Sequence, residues 1–198
     1  MRKIKLTKAE LKNQNDNLKR YNRYLPILYI KKQQLQKEIE KLRIELKRIT
    51  FESNKLRDEI IPWVSLLGEE VGLSDLVMLK EIKTSTENIA GVVVPVFVKA
   101  HIDIEKYDLF KYPLWVDNAV GVISKMISFQ AEESVVVERL RLLEQELYIT
   151  SQRINLFEKI MIPETKAAIR KISIFLGDQR AAAVGWARIA KKKMQGVR

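Results

Sequence analysis

Residues 18–60 read LKRYNRYLPILYIKKQQLQKEIEKLRIELKRITFESNKLRDEI. Counted from Leu18, thirteen positions alternate in steps of three and four, and eleven of them are apolar or aromatic, the exceptions being Lys32 and Ser53. This heptad pattern is typical of a coiled-coil helix. The predicted seam consists of Leu18, Tyr21, Leu25, Leu28, Lys32, Leu35, Ile39, Leu42, Leu46, Ile49, Ser53, Leu56 and Ile60.

A second heptad segment follows late in the chain. Its predicted seam is Leu140, Leu143, Leu147, Thr150, Ile154, Phe157, Met161, Glu164 and Ala168, followed by a one-residue shift to Ile169, Ile172 and Leu176, as a stutter would produce. A single amphipathic helix cannot bury its apolar stripe, although each buried Leu or Ile would gain ~1.5–3 kcal/mol. We therefore expect the two segments to pair with each other in an antiparallel coiled coil.

The region between the two segments has a different composition. Residues 87–104 read ENIAGVVVPVFVKAHIDI, whose β-branched residues and breakers predict one or two short strands. Residues 71–79, VGLSDLVML, could form a short helix. The predicted fold is thus all-α: a first coiled-coil helix over 1–62, an insert with a short helix and a short β-hairpin over 63–112, and a second coiled-coil helix over 113–198, in one structural domain.

Two prolines fall inside the predicted helices. Pro163 should bend the second helix or disturb its hydrogen bonding locally, because a proline has no N–H to donate. Pro26 leaves two alternatives open: the first helix kinks there, or a short turn precedes the main helix.

The charge is unevenly distributed. The net charge is +11; residues 2–48 carry 15 Lys/Arg and 5 Asp/Glu, residues 179–198 carry 6 and none, and residues 64–117 carry 5 and 9. Both termini are therefore basic and the middle is acidic, a polarity that suits unlike partners at the two ends of a hairpin.

Catalytic motifs are missing from the sequence. There is no cysteine, the single histidine is His101, and no glycine-rich phosphate loop occurs. The longest apolar runs are shorter than the ~20 residues that span a bilayer. These features predict a chain without catalytic residues, metal, cofactor or membrane insertion.

Residues 152–163, QRINLFEKIMIP, resemble the C-terminal signature of the D subunit of V-type ATPases, Arg-Val-Asn-Ala-Leu-Glu followed after two or three residues by Ile-Pro. The matching residues are Arg153, Asn155, Glu158, Ile162 and Pro163. Residues 88–95, NIAGVVVP, are similar to the family's Gly-Val-x-x-Pro segment, and residues 6–8 with Leu11 resemble its opening.

The resemblance implies a rotor shaft with no catalysis of its own, in a cytoplasmic complex peripheral to the membrane. The paired termini would enter a catalytic head made of subunits A and B. The insert would bind the F subunit of the central stalk and reach the membrane ring through a socket-like subunit. The expected contacts with the stalk partner are Gly91, Val92, Val94 and Pro95, and those with the head are Trp186, Arg188, Lys191, Lys192 and Lys193.

Two other functions fit a basic coiled coil. A prefoldin-like chaperone also joins helices by β-hairpins, but it would expose apolar rather than basic helix tips. A basic segment that runs into heptads superficially resembles a bZIP protein. Nucleic-acid binding is less favoured, because Pro26 interrupts the first segment and the second segment already offers an internal partner.

Overall fold

The computed structural model describes residues 5–62, 76–105, 107, 112–113 and 115–195. Its elements are helix α1 (Lys8–Ile60), strands β1 (Val77–Ile89) and β2 (Val92–Ile104), helix α2 (Trp115–Leu156), a π-helical turn (Phe157–Met161) and helix α3 (Ile162–Gln195). The prediction of two long helical segments with a β-hairpin between them is confirmed. The chain divides into two compact units: unit 1 consists of Met1–Lys32 and Ile149–Arg198, and unit 2 of Gln33–Tyr148.

Helix α1 begins with a capped turn. The Thr7 hydroxyl oxygen accepts a hydrogen bond from the Glu10 backbone N–H at 3.2 Å, and the Leu11 N–H bonds to the Thr7 carbonyl at 3.0 Å. The helix then continues through Pro26 to Ile60, so the alternative of a turn before the main helix is wrong. Pro26 is exposed, and water can therefore reach the backbone carbonyl that lacks its helical donor.

The insert in unit 2 is a long antiparallel ribbon. Each strand has thirteen residues rather than the few expected, and the register pairs Val77 with Ile104 and Ile89 with Val92. Ala90 and Gly91 close the hairpin with φ of 51° and 83°, as a two-residue turn of type I′ requires. The sequence predicts a short helix over 71–79. Residues 71–75 lie outside the described residues, and residues 77–79 belong to β1.

The ribbon packs along the helix pair. Val94 is fully buried in one core cluster with Leu35, Leu42, Val136 and Leu143, and Ile89 and Val92 pack against that cluster. At the opposite end of the ribbon, Leu76 and Val77 are buried together with Val116 and Val120 of α2. The hairpin is therefore part of the core of unit 2 and is attached to the helices at both of its ends.

The second helix of unit 1 is interrupted by the π-helical turn. The Ile162 N–H bonds to the carbonyl of Phe157, five residues back, directly before Pro163. This is the local disturbance expected near Pro163, which cannot donate to the carbonyl of residue 159. The helix therefore takes up one additional residue per turn at this point.

The additional residue changes the seam register. Thr165 is buried and Glu164 is exposed, so the prediction of Glu164 as a seam residue is wrong. The seam positions run Phe157, Met161, Thr165 and Ala168, with two successive steps of four, and Ile162 beside them is half-buried as well. The stutter thus falls at the π-helical turn and not after Ala168, because the wider turn absorbs the additional residue.

Beyond Leu176 the helix has no buried residue. From 177 to 195 every residue is exposed except Gly185, which is half-buried. We call residues 177–195 the terminal helical segment.

Candidate partner-binding surfaces

The described residues contain no cluster suited to a metal ion. No group of three or more His, Cys, Asp and Glu side chains in them is arranged to hold a metal ion. His101 lies half-buried on β2, where its strand partner is Glu81. No helix in the described part of the chain is both long and apolar enough to cross a membrane.

The seam residues are brought together within each unit. In unit 2, Leu35, Ile39, Leu42, Ile49, Leu140 and Leu143 are buried in one cluster, against which Leu46 and Leu147 pack. Leu56 is half-buried. In unit 1, Ile154 is buried, and Leu18, Leu25, Leu28, Phe157 and Met161 are half-buried. The rings of Tyr21 and Phe157 lie 5.3 Å apart across the seam.

Each helix pair has two flanks beside its seam. The following flank consists of the residues that come directly after a seam residue. Its members pair across the helices: Arg43 approaches Glu144 at 2.8 Å in unit 2, and the Tyr29 hydroxyl donates to Glu158 at 2.9 Å in unit 1. The hydrogen bond to the Glu158 carboxylate raises the pKa of Tyr29.

The preceding flank consists of the residues directly before a seam residue. In unit 2 it is the side on which the ribbon docks. Arg139, directly before Leu140, lies 3.2 Å from Glu87 of β1, and its side chain is only 11% exposed. Arg48, directly before Ile49, lies 3.5 Å from Glu132. Burial raises the pKa of the Glu132 carboxyl. The charge of Arg48 lowers this pKa, and the charges of Glu45 and Glu52 raise it further.

The signature residues lie on the surface of unit 1. Arg153, Asn155, Glu158 and Pro163 are exposed, and Ile162 is half-buried. Glu158 accepts the Tyr29 hydrogen bond. Arg153 and Asn155 form no side-chain hydrogen bond or ion pair among the described residues. No contact among the described residues thus accounts for the side chains of Arg153 and Asn155.

The hairpin residues differ in accessibility. Gly91 is exposed, and Val92 and Pro95 are half-buried. Val94 is 0% exposed, so a direct contact between Val94 and a partner is excluded while the ribbon is docked. The most exposed of the large apolar residues of the ribbon are Met78, Val93 and Val98, at 60%, 63% and 61%. The side chains of Val93 and Val94 point to opposite faces of the strand, but the sequence does not tell which of the two faces the core.

The terminal helical segment is exposed almost throughout. Trp186 is 72% exposed, and Arg188, Lys191, Lys192 and Lys193 are exposed beside it. Ile189 and Met194, which the sequence analysis did not single out, are 51% and 80% exposed. Met194 lines a shallow depression with Ala187, Ala190, Lys191 and Gln195. The segment therefore combines apolar and basic side chains without a packing partner among the described residues.

Comparisons with known proteins give a consistent result. A family model for the D subunit of ATP synthases matches residues 10–192. The chain is 43% identical over 194 residues to the D subunit of a V-type ATP synthase from Borreliella burgdorferi, covering 98% of this chain and 96% of that protein. It is 34% identical over 195 residues to the V-type ATP synthase D subunit of Chlamydia abortus, covering 97% and 94%. The corresponding protein of Chlamydia trachomatis serovar L2 is 32% identical over 195 residues, covering 97% and 96%. With so nearly complete a match in sequence, the chain belongs to the D-subunit family of ATP synthases.

Proposed function

We propose that this chain is the central rotor shaft of a V-type rotary ATPase and couples ATP hydrolysis or synthesis in a catalytic head to ion transport across a membrane. Its role would be mechanical and non-catalytic. A rod without threefold symmetry, placed inside a ring of three catalytic interfaces, contacts each interface differently and so favours a different conformation at each. Rotation of the rod then exchanges those conformations in order.

The terminal helical segment is the observation that carries this proposal. A helix of nineteen residues whose surface is exposed almost throughout adds little to the core of unit 1. It nevertheless presents Trp186, Ile189 and Met194 beside Arg188 and three lysines. Apolar and aromatic side chains in the company of arginine are typical of the centre of a protein interface. We assign this surface to the head subunits A and B.

Deletion of residues 185–198 tests this assignment. We expect the melting temperature of the isolated chain to change little, because no deleted residue described by the structure is buried. Reconstitution with the head subunits should give a lower yield of complex and weaker coupling of ATP hydrolysis to ion transport. Charge reversal at Lys191, Lys192 and Lys193 is the milder control, with a salt-dependent effect, since exposed charges are screened over ~8–10 Å at physiological salt. A truncated chain that assembles and couples normally would refute the assignment.

The ribbon is the proposed site for the small F subunit of the stalk. The supporting observation is its exposed surface, where Gly91, Val93 and Val98 are accessible and Val92 and Pro95 are partly so. A socket-like subunit would join the same end of the shaft to the membrane ring in a cytoplasmic, peripheral complex. Val93→Asp with Val98→Asp should weaken binding of the F subunit in a titration and leave the melting temperature nearly unchanged. Undiminished binding would move this stalk partner to another surface.

A further inference from the structure

Arg139 of α2 holds a guanidinium group against the ribbon of unit 2. Its side chain is 11% exposed, and its Nη2 donates a hydrogen bond of 3.2 Å to the Glu87 carboxylate of β1. Its Nε is buried and has no hydrogen-bond partner among the described residues. Within the described part of the chain, the compensation of this charge therefore depends on a single carboxylate.

Glu87 and Val94 face the helix pair together. The two residues are directly paired across the ribbon, and the side chains of directly opposed residues on antiparallel strands lie on the same face. Val94 is 0% exposed and packs in the core cluster with Leu35 and Leu143, whereas the Glu87 side chain is 56% exposed. One cross-strand pair thus supplies both a buried apolar contact and a solvent-accessible ionic contact with the helices.

The end of the ribbon that carries this pair is set off by a bulge. The register runs without a shift from the pair Thr84–Phe97 to the turn, and it shifts directly before that pair, where Val98 has no strand partner. We call residues 84–97 the ribbon tip. A bulge interrupts the hydrogen-bond ladder, so bending at Val98 costs less than bending within the tip.

The ion pair makes docking of the ribbon tip conditional. A buried guanidinium that loses its carboxylate is strongly destabilising, whereas replacing both charged side chains by uncharged ones is often neutral. The buried Nε of Arg139 adds a desolvation cost that no described residue offsets, even while the tip is docked. The pair therefore adds little net stability, but the docked position is favourable only while Glu87 carries its charge.

We propose that Arg139 and Glu87 form a latch for the ribbon tip, which is docked with Val94 in the core only while the carboxylate compensates the guanidinium. Loss of that contact releases the tip by bending at Val98, and the guanidinium then becomes hydrated. The base of the ribbon, where Val77 is buried against α2, stays in place. The latch lies within unit 2 and goes beyond the proposed function, because it needs no partner.

A single thiol reports release of the ribbon tip, because the chain has no cysteine of its own. In the full-length chain, Val94→Cys places a thiol in the core that an alkylating reagent reaches only when the tip opens. Addition of Glu87→Gln, which keeps the size of the side chain and removes its charge, should raise the alkylation rate about tenfold or more. Glu144→Gln is the matched control, because Glu144 pairs with Arg43, whose side chain is 56% exposed. It should change the rate less than about twofold.

A second thiol position distinguishes release of the tip from undocking of the whole ribbon or unfolding. Val120 is 4% exposed and is buried with Val77 at the base of the ribbon, so Val120→Cys is the same substitution at the other anchor. Glu87→Gln should change its alkylation rate less than about twofold, because local opening exposes only the segment that moves. Equal acceleration at positions 94 and 120 would overturn the latch.

Arg139→Met provides a reversal of the effect, because it removes the buried charge together with its need for a carboxylate. Added to Glu87→Gln, it should return the alkylation rate of the Val94→Cys thiol to within about twofold of the rate without either change. Without the added thiols, Glu87→Gln should lower the melting temperature by about 4 °C more than Glu144→Gln does, and Arg139→Met should restore it. A double variant that is alkylated as fast as Glu87→Gln, or equal melting temperatures for Glu87→Gln and Glu144→Gln, would overturn the latch.

Discussion

Two adjacent valines on β2 allow a sharp test of whether the ribbon belongs to the core. Val94 is 0% exposed and Val93 is 63% exposed. Val→Ala at either position removes the same atoms and carries the same loss of strand propensity, so the difference between the variants reports packing alone. Two buried methylene equivalents are worth ~0.8 kcal/mol each, and a cavity adds to that loss. We expect Val94→Ala to cost about 2 kcal/mol and Val93→Ala less than about 0.5 kcal/mol.

The assay is thermal unfolding followed by helical circular dichroism, with urea titration as a second measurement. For a chain of this length, 1 kcal/mol shifts the melting temperature by about 2–4 °C, so Val94→Ala should melt about 4–8 °C lower. Because Val94 packs with Leu35 and Leu143, the loss should appear in the helical signal as well. Equal melting temperatures for the two variants would refute the reasoning, since they would show that the ribbon does not contribute to the stability of the helices.

Three further substitutions probe the helix pairs. Leu42→Asp places a charge at a 4% exposed position and should cost on the order of 4 kcal/mol or more of unfolding free energy. Lys41→Asp breaks an exposed ion pair and should cost less than about 1 kcal/mol. Equal shifts of the melting temperature would show that the register of the coiled-coil seam is wrong. Thr150→Val should raise the free energy of unfolding by about 1 kcal/mol, because the buried Thr150 hydroxyl has no hydrogen-bond partner among the described residues. Thr165→Val should gain less, because the Thr165 hydroxyl donates to a backbone carbonyl at 2.7 Å, and urea titration of both variants decides. Burial raises the pKa of the Glu132 carboxyl above the ordinary 4.5, so the folded state holds that proton more tightly than the unfolded state does. The chain therefore loses stability as the pH rises through the folded pKa. Glu132→Gln should stabilise the chain more at pH 7 than at pH 4, and an equal or opposite difference between the melting temperatures at the two pH values would contradict this.

The coiled-coil segments were predictable because their signal repeats. Each seam residue is one of many in a fixed alternation, so an occasional Lys32 or Ser53 does not hide the pattern. The change of register near Pro163 was only partly predictable. Glu164 and Thr165 are both compatible with a heptad position. Only the hydrogen bond from the Ile162 N–H to the Phe157 carbonyl, five residues back, decides between them.

The docking of the ribbon could not be predicted from the sequence. Residues 92–98, VVVPVFV, are apolar on both faces of the strand, so alternation gives no indication of which face is buried. The expectation that Val94 contacts a partner follows from the resemblance of residues 88–95 to the family's Gly-Val-x-x-Pro segment, whereas its side chain lies in the core.

The exposure of the terminal helical segment has a thermodynamic consequence. A helix without tertiary contacts depends on its own propagation, and isolated helices shorter than ~12–15 residues are marginal in water. Gly177 and Gly185, where a Cβ would meet no atom within 4 Å, each weaken the helix by about 1 kcal/mol relative to alanine. Three lysines near its carboxyl end act in the opposite direction through the helix dipole. We therefore expect the helical fraction of residues 177–195 to fall on warming, by fraying from the carboxyl end. Any ligand of this end that requires the helix binds with an apparent dissociation constant raised by the reciprocal of that fraction.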